Sequence, residues 1–210
     1  MSAPELAPAG GWAGPAVPRI ATPLVSERGL VFRLMSLFSR RLGRAEIPDV
    51  FSVFHINARL FWAWLFFASR LFPFGRLRAA ERELVILRTA WNCRSRYEWG
   101  QHVEIGLRVG LSDAEVMRIA QGPQAFAGDA RQALMQACDE LFRDRVLSDG
   151  TWNALAERYD QRRLIEIAIL AGHYIMLAGF LNSAGLRLEA PTEAKLQEFH
   201  RRVAATRQVP

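Results

Sequence analysis

From residue 24 onward the apolar positions recur at helical spacing, and no run alternates as a strand would. The pattern is cleanest over 129–144, where positions 130, 133, 134, 137, 138, 141 and 142 form one stripe. A short amphipathic helix is predicted over 26–42. A long helix follows over 48–71, with Pro48 suited to its first turn and Pro73 and Gly75 beyond its end. The aromatic content of that helix (Phe51, Phe54, Phe61, Trp62, Trp64, Phe66, Phe67) is too wide for one stripe, so burial on two sides is expected, by the core and by a partner subunit.

Helices are further predicted over 77–92 and 95–109, the second stopped by Gly110. Ser112 and Glu115 form a capping box, with Leu111 and Val116 placed as a staple, for a short helix ending near Gly122 and Pro123. A short helix over 151–159 precedes one from Asp160 to Gly185 that is apolar nearly all round and is expected to be central. Pro191 opens a polar helix to about 206. The sequence thus divides into an extended Pro/Gly/Ala-rich arm over 1–23, an all-α helical domain over 24–190, and a C-terminal helix and tail over 191–210.

The composition narrows the function classes. The net charge is +6, and Lys195 is the only lysine. The arginines are scattered singly or in pairs among acids, with no basic run interleaved with aromatics, so no nucleic-acid partner is expected. The most apolar stretch, 60–68, falls far short of the ~20 residues of a spanning helix, so no membrane partner is expected either. The amino terminus lacks a basic segment followed by an apolar one, and the two cysteines, Cys93 and Cys138, form neither a CxxC nor a disulfide framework. A cytoplasmic location is the expectation.

The candidate chemistry lies in 83–110. On the second helix of this stretch Ser95, Glu98, His102, Ile105 and Val109 share one stripe, which turns Glu98 and His102 toward the core, one turn apart and within hydrogen-bonding reach. On the preceding helix Glu83 shares a face with Ala79, Ala80, Ile86, Leu87 and Ala90, where a carboxylate is costly unless paired or protonated. A short link could fold the helices together so that Glu83, Glu98 and His102 share one pocket and exchange protons near neutral pH. The same residues also fit an ordinary buried hydrogen-bond network. Cys138 lies in a core stripe and reads as packing.

The run ELVILRTAW, then YEWGQH, then the LSDAEV cap resembles the carboxymuconolactone decarboxylase family, related to alkylhydroperoxidase D. The resemblance spans about 45–190 and implies an all-α, alkylhydroperoxidase D-like helical bundle that is oligomeric, as a homo-oligomeric dimer, trimer or hexamer. The peroxidase branch uses a CxxC with a histidine four residues on and a glutamate on the preceding helix. Those positions are Ser95, Glu98, His102 and Glu83 here, so the histidine and glutamate are kept and both redox sulfurs are gone. The resemblance therefore implies decarboxylase-like lyase chemistry without a cofactor, on a small carboxylate or lactone. Glu98 and His102 would act as the acid–base pair and Glu83 as the relay. Arg88 or Arg96 would hold the substrate carboxylate, with Ser95, Trp99 and Tyr174 lining the pocket. Thiol peroxidase activity, a non-catalytic small-molecule-binding oligomer and a divalent-metal site at Glu83, Glu98 and His102 are the alternatives. The spacing of the last is not the usual E-x-x-H, so no metal is expected.

Overall fold

The computed structural model describes residues 6–24, Phe32 and 47–206. The helix expected over 26–42 lies outside the described residues, apart from Phe32. The described helices are α1 (Asp49–His55), α2 (Ala58–Ser69), α3 (Ala79–Asn92), α4 (Arg96–Arg108), α5 (Asp113–Gln121), α6 (Gln132–Arg143), α7 (Asp149–Ala156), α8 (Gln161–Ala184) and α9 (Ala190–Thr206), with one 3-10 turn at Pro123–Phe126. No strand occurs among the described residues.

The expected helix over 48–71 is two helices. Ile56 and Asn57 separate α1 from α2, and the Asn57 side chain accepts the Leu60 N–H as an N-cap. Asparagine competes with the helix backbone for hydrogen bonds, which favours a restart here. Elsewhere the caps fall where the polar residues place them. Ser112 and Glu115 close a reciprocal capping box on α5. Ser148 and Asp160 cap α7 and α8. Gly185 ends α8 in the left-handed region.

The central helix is α3 rather than α8. Every residue from Glu81 to Ala90 is buried, and α3 packs against α4, α5, α6 and α8. Its charged residues survive there because each meets a partner. Glu81, for example, accepts from Arg78, Arg158 and Tyr159. By length and composition α8 could cross a membrane, yet more than half of its apolar window is buried inside this domain. It buries one face and leaves Ile165, Ile169 and Met176 exposed.

The arm has no helix or strand over 6–24, but it is strapped to the domain. Arg94, in the left-handed region at φ 55°, accepts the Ala13 N–H at 2.8 Å and donates its guanidinium to the Gly10 and Gly11 carbonyls. Further along, the Arg19 N–H reaches the Ala184 carbonyl (2.8 Å) and Arg187 donates to the Ala16 carbonyl (2.6 Å). Trp12 rests on Trp91 and Trp99, with ring centroids 5.6 and 6.2 Å away.

Candidate active site

A Cβ on Gly100 would collide with Leu188, so glycine lets the 185–188 segment lie close on that side of α4. On the other side Glu83 of α3 meets His102 of α4: Nδ1 lies 2.7 Å from Glu83 Oε2. A carboxylate can only accept, so Nδ1 carries the proton of this bond and Nε2 is the atom left for exchange. The Phe72 and Tyr174 rings meet the imidazole edge-on at 5.8 and 5.1 Å. The Arg82 Nε stands 3.9 Å from the other Glu83 oxygen, while its guanidinium covers Phe72 and donates to the Pro73 carbonyl.

Glu98 does not join this pair. The expected Glu98–His102 bond is absent: His102 turns to Glu83, and among the described residues neither Glu98 oxygen has a hydrogen-bond partner. Glu98 is 2% exposed. Burial pushes its carboxyl well above the usual range, opposed only by the Ser95 hydroxyl, so the neutral acid is the stable form. An i, i+4 spacing sets reach but not rotamer, and the carboxylate across the helix interface offered His102 the better partner.

The other predicted residues divide. Tyr174 lines the imidazole. Ser95 is fully buried beside Glu98 at the head of α4. Trp99 is fully buried against Trp91 at 4.9 Å. Arg88 is not a substrate anchor: it grips Asp139 through two bonds of 2.6 and 2.8 Å and donates to the Ile119 and Ala120 carbonyls. Arg96 is likewise taken up by Glu193, at 2.6 and 2.9 Å. Among the described residues no group of three His, Cys, Asp or Glu side chains is arranged to hold a metal ion.

Sequence reasoning passed over Arg82, Phe72 and Tyr97. Tyr97 donates its hydroxyl to Glu189 (2.6 Å) and accepts the Val50 N–H (3.1 Å). Glu189 also accepts from Gln101 and the Asp49 backbone. Within YEWGQH, then, Tyr97 and Gln101 anchor one side of α4 to Glu189, Trp99 anchors the other, and His102 is left to Glu83. Cys93 is partly buried, and burial beside Glu98 pushes its thiol up to about 12.

Residues 58–140 match the carboxymuconolactone decarboxylase family. No curated protein sequence matches the chain. Among solved structures, the chain is similar to an uncharacterized peroxidase-related protein from Silicibacter sp. TM1040 (16% identity, TM-score 0.69, covering 86% of this chain and 93% of that one). It is similar to an alkylhydroperoxidase AhpD core protein, also uncharacterized and peroxidase-related, from Ralstonia eutropha JMP134 (16%, 0.70, 85% and 96%). It is also similar to a cysteine-to-alanine variant of the debrominase Bmp8 in complex with 2,3,4-tribromopyrrole (15%, 0.67, 88% and 98%). The chain thus has an all-α, alkylhydroperoxidase D-like fold, and its residues 58–140 are similar to the carboxymuconolactone decarboxylase family.

Proposed function

We propose that this protein is a cofactor-free acid–base enzyme, acting as a decarboxylase or a related lyase or isomerase on a small carboxylate or lactone. The observation that carries the reading is the pair of contrasting ionisable groups on one helix. His102 is held by Glu83 at 2.7 Å with Nε2 left for exchange. One turn earlier, Glu98 is a buried carboxyl kept neutral by its surroundings. A positioned imidazole and a carboxyl that burial disfavours ionising are the two kinds of group that general acid–base chemistry uses.

In a decarboxylation the C–C bond to the carboxylate breaks and carbon dioxide leaves. The electron pair passes into the carbonyl-conjugated system of the substrate, which needs no cofactor to hold it. A proton then returns to carbon. Glu98 is a group with a proton to give, and His102, its imidazole fixed by Glu83, is a separate group able to exchange one at Nε2. A dithiol peroxide cycle needs two thiols and a thiolate nucleophile. Ser95 and Glu98 hold the two thiol positions here, and Cys93 is a thiol pushed up to about 12.

The test compares carbon dioxide release and isomerisation of small lactone acids by wild type, Glu98→Gln, His102→Ala and Glu83→Gln. Loss of a positioned general acid or base lowers the rate by about 100-fold or more, so each variant should lose at least that much while keeping its helical circular dichroism. Equal rates in all four proteins would remove these residues from the mechanism. Turnover of an alkyl hydroperoxide with a dithiol donor, abolished by Cys93→Ala, would replace this reading with a peroxidase.

A further inference from the structure

A cavity of about 470 Å³ lies under the arm, and its lining includes none of Glu83, Glu98 and His102. At 100° per residue, Arg96 and Gly100 stand on the opposite side of α4 from Glu98 and His102, and the cavity is on that side. The arm from Trp12 to Pro15 forms its roof, the 185–188 segment a wall, and Arg96 and Tyr97 at the head of α4 its floor. We propose that this cavity binds a small organic carboxylate, its apolar body against Trp12, Leu186 and Leu188 and its anionic group toward Arg187.

The roof is built architecture. It is tied on one side through Arg94 to Gly11 (2.6 Å) and on the other through Arg187 to Ala16 (2.6 Å). Pro15 sits so close to Gly185 that a Cβ there would be 2.7 Å from its ring. The left-handed turn that ends α8 is therefore also the seat of the roof, and glycine serves both demands.

Charge selects the ligand. Three charged side chains line the cavity, Arg96, Arg187 and Glu193. Glu193 is matched by Arg96. The Arg187 guanidinium donates to the Ala16 carbonyl and meets no carboxylate among the described residues, so the lining keeps one positive charge over. The first turn of α4 adds to it, since Ser95 gives that helix end no side-chain cap and a helix amino terminus favours an anion. The Trp12 Nε1 adds a buried donor with no acceptor among the described residues. A cavity of this size suits a small molecule with an apolar body and a few converging polar groups. Both are present in this lining.

The inference stands apart from the acid–base reading, and its test separates the two. Full-length protein is titrated with benzoate and with benzamide, its uncharged counterpart, by calorimetry and tryptophan fluorescence. Benzoate is expected to bind saturably and to change the Trp12 emission, an effect lost in Trp12→Phe. Benzamide should bind at least about tenfold more weakly, as befits the loss of a charge-assisted contact. Arg187→Ala should weaken benzoate by a similar factor, Arg187→Lys should recover part of it, and Glu98→Gln should leave it unchanged. Arg187 is exposed, so its variants test the site without disturbing the core. Equal affinity for the two probes, benzoate binding untouched by Arg187→Ala, or no saturable benzoate binding would each overturn the proposal. Binding lost in Glu98→Gln but kept in Arg187→Ala would place the carboxylate at the acid–base centre instead.

Discussion

Glu98 is the residue at which function and stability pull apart. A carboxyl buried without a hydrogen bond costs the fold free energy whenever the unfolded chain would ionise it. In the unfolded chain it ionises near 4.5, and in the folded protein burial moves that point well upward. Between those two values the folded state keeps a proton that the unfolded state has released, so this contribution to stability falls as pH rises through the window. Glu98→Gln removes the titration. Its stability relative to wild type is therefore expected to grow between pH 5 and pH 8 as measured by urea denaturation, while its activity is lost. A difference that stays the same at the two pH values would show that Glu98 is not held neutral. The neighbouring Cys93 makes the opposite kind of point. Its thiol is pushed up to about 12, so it sits in the same stretch of chain without the thiolate that peroxide chemistry requires.

At the scale of elements, what could be read from the sequence follows from how local its cause is. The capping box at Ser112 and Glu115, the Asp160 cap and the Gly185 stop depend on residues within a few positions of one another, and all three stand where the pattern puts them. The break at Asn57 was hidden because aromatic residues continue on both sides of it, so the apolar pattern outlasts the helix. The convergence of Glu83 and His102 was legible from the two stripes. The choice of Glu83 over Glu98 as the imidazole's partner was not, because it depends on the rotamers that the packing of α4 on α3 selects. Arg88 and Arg96 read as anchors because the expected substrate carries a carboxylate that a guanidinium near Glu98 would hold, but Asp139 and Glu193 arrive from 51 and 97 residues away.

The arm was legible as an extended segment, though its attachment was not. Its clamp rests on Arg94, whose guanidinium and carbonyl together hold residues 10, 11 and 13. Arg94→Ala removes both guanidinium bonds and leaves a side chain in the left-handed region with nothing to offset the strain. The expected result is an arm that opens without unfolding the bundle, seen as faster tryptic cleavage at Arg19 and a red-shifted tryptophan emission. A loss of about 1–3 kcal/mol in overall stability is expected with it. Unchanged cleavage at Arg19 would mean that the Arg187 and Ala184 bonds and the proline contacts at Gly185 hold the arm without Arg94.

At the scale of the whole molecule, large apolar side chains on two helices are left exposed. On α2 and in the segment after it, Phe66, Phe67 and Phe74 are exposed, and on α8 so are Ile165, Ile169 and Met176. His173 joins the two helices: its ring lies 5.6 Å from Phe67, and burial lowers its ionisation to about 4, leaving it neutral at pH 7. Large apolar side chains exposed on neighbouring helices are of the kind that monomers seldom gather and that obligate interfaces bury. A second copy of this chain is the partner we expect there, which would account for an α8 that is apolar on both sides although α3 holds the centre. Sedimentation velocity at micromolar concentration is expected to show a dimer or larger closed assembly for the wild type. Ile169→Glu with Phe67→Glu should shift it toward monomer, because two carboxylates facing their copies across an apolar contact are both desolvated and repelled. Both residues already meet solvent in the single chain, so the variant should keep its helical content. A wild type that sediments as a monomer throughout that range would leave this face without the partner proposed for it.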